Sequence, residues 1–180
     1  MKQLYPMENG IQLIRLAEEH TIAFKEEMQE AFMRGFQAYN KDDSEDSNQW
    51  QVLPDEDFYQ SLRAEGAEAY EAVDADGQRV GGAIISIHKT EGELAFLYVK
   101  VGVQSKGIGQ AIWKAIEAMH PEVEVWETCT QYFDRRNIHF YINRCGFHAV
   151  EFFNEHHPDP HMPEQLDQED GLFKFEKRMK

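Results

Sequence analysis

Cysteines and long apolar runs are scarce in this chain of 180 residues. The two cysteines, Cys129 and Cys145, are too few for a disulfide framework and are expected to be small core residues with free thiols. No apolar run approaches the ~18 residues that a membrane-spanning helix needs. Residues 1–6 also lack the basic start and apolar stretch of a signal peptide. These absences predict a protein that is cytoplasmic and does not bind a membrane.

Basic residues are also few, and the formal net charge is −15. Because binding a phosphate backbone requires a basic face, this charge argues against a nucleic-acid partner. Residues 41–76 hold twelve acids and two basic residues, and residues 151–170 hold seven acids and no Lys or Arg. Between Leu94 and Ala115 there is no carboxylate but there are three lysines: Lys100, Lys106 and Lys114. This basic segment could bind an anionic ligand, and the acidic segments could either attract a cationic partner or simply keep the protein soluble.

Apolar periodicity, turn residues and proline divide the chain into short strands and amphipathic helices within a single domain, 1–180. The predicted strands are 11–16, 68–73, 79–88, 93–101, 123–128, 149–153 and 172–177. The predicted helices are 19–37, 55–64, 107–119 and 134–145. The order β-α-α-β-β-β-α-β-α-β-β predicts an α/β (α+β) fold with a mixed, mainly antiparallel sheet flanked by helices.

The most informative segment joins a strand to the helix at 107–119 through the run Val101-Gly102-Val103-Gln104-Ser105-Lys106-Gly107-Ile108-Gly109. Free N–H groups at a helix start concentrate positive partial charge, and glycine lets the backbone approach an oxygen-rich group closely. The segment could therefore hold phosphate oxygens, although tight turns also use Gly-x-Gly. It lacks the Lys-Ser/Thr ending of a P-loop and the third glycine of a dinucleotide fingerprint.

This segment resembles the pattern Gln/Arg-x-x-Gly-x-Gly/Ala of the GNAT superfamily of N-acetyltransferases. It is preceded by Leu97-Tyr98-Val99, which is similar to the family's Leu-x-Val strand. The resemblance implies an enzyme that moves an acetyl group from acetyl-coenzyme A to a primary amine by direct attack on the thioester. It also implies that the coenzyme A pyrophosphate binds the backbone of Gln104, Ser105, Lys106, Gly107, Ile108 and Gly109. The pantetheine arm would then lie beside Val99 and Val101.

A primary amine is mostly protonated at pH 7, so acetyl transfer needs a base. Glu93, six residues before Val99, resembles the catalytic glutamate of the histone-acetylating branch of the family. Glu93 could instead be a solvated residue after the turn at 90–92, and Glu127 is the second candidate base. The backbone N–H of Val99 is the expected donor to the developing oxyanion.

The leaving thiolate needs an acid, and the family usually places a tyrosine four residues before a Gly-Phe pair. Tyr141 lies five residues before Gly146, so one extra residue in the last helical turn would be needed to match the pattern. The usual asparagine lies about seven residues before the tyrosine, where this chain has Asp134. Asn137, only four residues before Tyr141, is the candidate cofactor ligand. Half-buried packing is the alternative role of Tyr141.

Two further alternatives concern function. The chain could be a non-catalytic acyl-coenzyme A sensor of the same fold, in which the phosphate cradle remains and the chemistry is lost. No metal site is expected, because His156, His157 and His161 lie in a proline-interrupted acidic loop and cannot share a helix face. The expected partner is a small-molecule or peptide amine, and formation of a homodimer is left open.

Overall fold

The computed structural model describes residues 9–39, 52–103, 107–161 and 171–180. The strands in these ranges are β1 Gln12–Arg15, β2 Ala67–Val73, β3 Arg79–His88, β4 Glu91–Val99, β5 Val125–Gln131, β6 His148–Phe153 and β7 Leu172–Arg178. The helices are α1 Thr21–Tyr39, α2 Asp55–Arg63, α3 Ile108–Met119 and α4 Arg135–His139, and α4 continues as a π-helical turn, Phe140–Arg144. This order confirms the predicted one. Among the described residues, no helix combines the length and apolarity of a membrane span.

The strands form one sheet in the order β1-β2-β3-β4-β5-β7-β6. Strands β2, β3 and β4 form the expected antiparallel meander. Strands β4 and β5 are paired in parallel, and their pairing covers three residues of each strand. The sheet is therefore mixed and mainly antiparallel, as predicted.

Helices pack on both faces of the sheet, because successive strand residues point to opposite faces. On one face, Phe24 and Met28 of α1 and Phe58 of α2 pack against the sheet. On the other, the apolar stripe of α3 buries Trp113 against Trp126 of β5. Ile84 and Ile85, both fully buried, belong to the two different cores. We call these the α1 face and the α3 face.

Several local predictions were wrong, including the start of β4 and the burial of Cys129. Strand β4 begins at Glu91 rather than at residue 93, because the turn lies at Lys89, whose φ is +56°, and Thr90. Gly92 therefore lies within the strand, where a Cβ atom would come 2.5 Å from the Trp126 ring. Cys145 is buried as expected, but Cys129 is exposed, because its β5 side chain points away from the α3 face core.

Candidate active site

The sheet opens between β4 and β5. Glu91–Glu93 pair with Val125–Glu127, and beyond these residues β5 pairs with β7 alone. The opening is marked by Thr128, whose hydroxyl donates to the Leu94 carbonyl at 2.9 Å. On the other side of β4, the register with β3 shifts by one residue between Leu94 and Phe96. Such a bulge bends a strand, so it helps the end of β4 to diverge from β5.

The opened end of β4 presents backbone groups to the gap. The Lys100 N–H donates to the Val80 carbonyl on β3 at 2.8 Å. Because backbone direction alternates along a strand, the Val99 N–H points away from β3 and toward the opening. The position of this donor suits an extended ligand or a carbonyl oxygen placed between the strands. Val99 and Val101 themselves are half-buried at this end of the strand.

Helix α3 begins behind Gly107, whose φ of +90° favours glycine, and around which a Cβ atom would meet open space. The Gly107 carbonyl accepts the Ala111 N–H at 2.9 Å, so the N–H groups of Ile108 and Gly109 have no partner within the helix. These donors, the positive end of the helix dipole and the open space fit a phosphate group. The other cradle residues, Gln104, Ser105 and Lys106, lie outside the described part of the chain.

Gly109 has a packing role that the sequence analysis missed. A Cβ atom there would lie 3.1 Å from two carbons of the Phe140 ring. Gly109 therefore allows α3 to approach the π-helical turn that carries Tyr141. Gly109 thus allows a close contact between α3 and the Phe140 ring. This packing role is separate from any contact that Gly109 makes with a ligand.

The predicted basic segment is less basic in the structure than in the sequence. Helix α1 places Glu27 so that its carboxylate lies 3.2 Å from the Lys100 ammonium. The same carboxylate pairs with Arg79 at 2.8 Å and accepts the Tyr98 hydroxyl at 3.0 Å. Lys114 is exposed on α3, and Lys106 is not described. Helix α1 thus partly neutralises the lysine nearest the end of β4.

Glu93 and Glu127 lie side by side where the sheet opens. They are register partners on parallel strands and project from the α1 face, opposite Leu94 and Trp126 of the α3 face core. Glu93 reaches solvent, but desolvation by the protein around its carboxylate raises its pKa, and the nearby Glu127 charge raises it further. Glu127 pairs with Lys174 at 3.1 Å. The raised pKa makes Glu93 a better proton acceptor than an ordinary exposed glutamate.

Tyr141 lies on the opposite side of the opening, in the π-helical turn. The Cys145 N–H donates to the Phe140 carbonyl at 3.0 Å, five residues back, so this turn contains the one extra residue that the Tyr141 spacing requires. Tyr141 is 6% exposed and packs against Phe147. Burial raises the pKa of Tyr141, and hydrogen bonding with Thr128 acts in the opposite direction. The hydroxyl therefore keeps its proton at neutral pH.

Asp134 is the N-cap of α4, and Asn137 donates to it twice. The Asn137 backbone N–H donates to one Asp134 carboxylate oxygen at 3.0 Å, and the Asn137 side-chain amide donates to the other at 2.7 Å. Asp134 and Asn137 thus form one unit at the start of α4. A contact between Asn137 and a cofactor stays a prediction.

A family model described as Acetyltransferase (GNAT) family matches residues 17–147, and the chain belongs to that family. It is 40% identical over 179 residues to the uncharacterised protein YrkN of Bacillus subtilis strain 168, covering 93% of this chain and 94% of that protein. The family-model match confirms the family that the glycine loop indicated.

Two solved structures share the fold. A GNAT acetyltransferase from Elizabethkingia anophelis with acetyl-coenzyme A bound has a TM-score of 0.66 at 13% identity, over 96% of this chain and 100% of the other. Spermidine N-acetyltransferase from Vibrio cholerae, in complex with coenzyme A and spermine, has a TM-score of 0.63 at 11% identity, over 94% and 95%. Both hold a form of coenzyme A, in agreement with the expected acetyl-coenzyme A co-substrate.

Proposed function

We propose that this protein is an N-acetyltransferase that moves an acetyl group from acetyl-coenzyme A directly to a primary amine. The observation that carries the proposal is the position of Glu93, a carboxylate with a raised pKa at the point where β4 and β5 separate. A general base works best when its pKa is near the working pH. Supporting features are the donor groups at the start of α3 and the buried Tyr141 beyond Thr128.

Acetyl-coenzyme A would supply the thioester carbonyl. Residues of this chain would accept the amine proton, stabilise the oxyanion and protonate the departing thiolate. Glu93 accepts a proton from the amine, so that a neutral nitrogen can attack. The Val99 N–H, which faces the opening, donates to the carbonyl oxygen as negative charge develops on it. Tyr141 donates its proton to the departing sulfur. As the amide forms, its nitrogen loses a second proton to the Tyr141 oxygen, and Glu93 releases to solvent the proton that it took from the ammonium group, so both residues are restored.

The proposal extends to a cationic acceptor, which the acidic segments 41–76 and 151–170 would attract. The described structure covers only part of each segment. Residues 42–46 of the first lie outside the described part of the chain. In the second, Glu151 lies 3.0 Å from a His157 ring nitrogen, and Glu155 lies 3.1 Å from one of His156. Support also comes from the spermine bound to the similarly folded Vibrio cholerae enzyme.

The test combines a panel of primary amines with detection of released thiol, using the wild type, Glu93→Gln and Glu127→Gln. We expect Glu93→Gln to lower kcat by about 10²- to 10⁴-fold, most at low pH where the amine is most protonated, with coenzyme A affinity unchanged. Glu127→Gln should keep turnover but shift the ascending, acid-side limb of the pH profile to lower pH. The reason is that the Glu127 charge raises the pKa of Glu93.

Loss of turnover in Glu127→Gln together with normal turnover in Glu93→Gln would mean that Glu127 is the base. Stabilisation by coenzyme A without thiol release in the presence of any amine would instead identify a non-catalytic acyl-coenzyme A sensor. Because Gln is nearly isosteric with Glu, thermal unfolding of both variants should stay close to that of the wild type and serves as the folding control.

A further inference from the structure

A cluster of polar side chains joins α1 to the end of β4, and we call it the Glu27 cluster: Glu27, Arg79, Tyr98 and Lys100. One carboxylate oxygen of Glu27 accepts the Tyr98 hydroxyl at 3.0 Å, and the other lies 3.2 Å from the Lys100 ammonium. Because Tyr98 and Lys100 are two residues apart in extended chain, their side chains project to the same face of the sheet. Glu27 therefore contacts the residues on both sides of Val99, the proposed donor to the oxyanion.

Arg79 holds the Glu27 carboxylate in one orientation. The Arg79 Nε atom donates to one carboxylate oxygen at 2.8 Å and the Nη2 atom donates to the other at 3.1 Å, which is the paired geometry of a guanidinium on a carboxylate. Arg79 also pairs with Glu71 of β2. The side chains of Glu27 and Arg79 are 17% and 15% exposed, and hydrogen bonds are stronger in such a region of low dielectric constant. The cluster is thus a defined connection between α1 and the sheet.

Helix α1 is also fixed to the sheet by its own packing. One turn before Glu27, the Phe24 ring meets the Tyr98 ring edge-to-face at 5.3 Å. Toward the end of α1, the Phe36 ring meets the ring of Phe133, which follows β5, at 5.4 Å. Because these contacts anchor α1 on either side of Glu27, the Glu27 carboxylate can serve as a fixed point for the end of β4.

The end of β4 requires such support because β5 has separated from it. The parallel pairing of β4 with β5 ends at Glu93, six residues before Val99. On the other side, the Lys100 N–H still donates to the Val80 carbonyl of β3. The Val99 side chain faces the start of α3, where a Cβ atom on Gly109 would lie 3.6 Å from Val99 Cγ2. Val99 is therefore held from the α3 face by its own side chain and from the α1 face by its two neighbours.

We propose that Glu27 is a positioning residue that keeps the Val99 N–H directed into the opening, where this N–H donates to the thioester carbonyl of acetyl-coenzyme A. This inference rests on the proposed acetyltransferase function. A donor to a developing oxyanion is effective when it is oriented before the reaction begins. A displacement of about 1 Å at a reacting centre can lower the rate by about 10²-fold. Glu27 acts on the carbonyl through Tyr98 and Lys100.

The test compares Glu27→Ala, which removes both contacts with β4, and Tyr98→Phe, which removes the hydroxyl contact and retains the ring. We expect Glu27→Ala to lower kcat by about 10- to 100-fold and Tyr98→Phe to lower it by less, with coenzyme A affinity unchanged in both. Glu71→Gln is the matched control, because Glu71 pairs with the same Arg79 but lies on β2, which β3 separates from β4. It should lose stability in thermal unfolding and keep the wild-type kcat.

A spectroscopic measurement separates positioning from stability. The infrared band of a ¹³C-labelled thioester carbonyl in bound acetyl-coenzyme A, recorded without an amine, moves to lower frequency when an N–H donates to its oxygen. We expect this shift in the wild type and in Glu71→Gln, and a smaller shift in Glu27→Ala and Tyr98→Phe. Tyr98→Phe keeps the inference testable if Glu27→Ala does not fold.

A wild-type carbonyl shift and kcat in folded Tyr98→Phe and Glu27→Ala would overturn the positioning role and leave the acetyltransferase function intact. Equal losses of shift and kcat in Glu71→Gln would also overturn it, because they would follow from stability alone. Absence of any carbonyl shift in the wild type would exclude the N–H donor and the role of Glu27 with it. Failure of the wild type to release thiol with any amine would overturn the proposed function, and the carbonyl shift would then decide the role of Glu27 separately.

Discussion

Gly107 and Gly109 stand two residues apart at the start of α3, but their surroundings differ, and this difference predicts separable effects of substitution. A Cβ atom on Gly107 would enter open space, whereas a Cβ atom on Gly109 would lie 3.1 Å from the Phe140 ring. Substitution at Gly107 therefore perturbs the proposed phosphate cradle. Substitution at Gly109 perturbs the packing that positions the neighbouring Tyr141.

The expected magnitudes follow from these geometries. Gly107→Ala places a side chain at φ +90°, a left-handed conformation that destabilises by about 1–2 kcal/mol. Gly109→Val overpacks the contact with Phe140 and should destabilise by about 1–3 kcal/mol. For a chain of this size, each kcal/mol lowers Tm by about 2–4 °C. The two variants should thus lose similar stability, so stability alone does not distinguish them.

Ligand response and turnover distinguish them. We expect Gly107→Ala to reduce the increase in Tm caused by coenzyme A, because the new Cβ atom occupies space proposed for phosphate. Gly109→Val should lower kcat more than it weakens coenzyme A binding, because Phe140 displaces Tyr141. Gly35→Ala, inside α1 with no atom of the described residues within 4 Å of its Cβ position, is a stability control that should gain about 0.5–1 kcal/mol.

Two results would refute this reasoning. If coenzyme A raised the Tm of Gly107→Ala as much as that of the wild type, the start of α3 would not be the phosphate-binding site. Wild-type Tm and kcat in Gly109→Val would show that the contact with Phe140 does not position Tyr141. Titration of the Tm increase with coenzyme A and initial-rate kinetics at saturating amine are the two measurements required.

Two further predictions concern Tyr141 and Glu27. Tyr141→Phe should lower kcat by about 10²-fold or more with coenzyme A affinity unchanged, and unaltered initial rates would exclude an acid role for the hydroxyl. For Glu27, burial raises the pKa, but hydrogen bonds from Arg79 and Tyr98 outweigh burial and hold it below the usual range. Its contribution to stability is therefore full above the unfolded-state pKa and is lost as the pH falls through the lowered folded-state pKa. The stability difference between wild type and Glu27→Gln in urea unfolding should thus shrink as the pH falls below the ordinary glutamate pKa, and a constant difference would contradict the assignment.

Most elements could be predicted from the sequence because their signals are local. The predicted strand at 79–88 is β3 as observed, since alternation and the turn at 74–77 lie within one short window. The helix after Gly107 is also as predicted, because its apolar stripe and its glycine start are adjacent in the chain. The Tyr141 offset indicated an extra residue in the turn, and the π-helical turn contains it.

The candidate site combines local and long-range features, so only part of it could be predicted. The glycine loop, Glu93 and Tyr141 could be proposed as site residues from their spacing to neighbouring motifs, and their roles stay predictions. The pairing of Glu93 with Glu127 depends on the register of two strands that lie far apart in sequence. The ion pair between Glu27 and Lys100 likewise depends on where α1 packs on the sheet.

The sequence by itself determined the order of the elements, the family and the residue types at the glycine loop, since periodicity and turn chemistry act over a few residues. The tertiary structure decided where β4 and β5 separate, which face carries Glu93, how closely Gly109 packs against Phe140 and how Phe36 meets Phe133. These features depend on how strands register and helices pack across the sheet. Such contacts join distant residues through burial and shape, which a local sequence pattern does not encode.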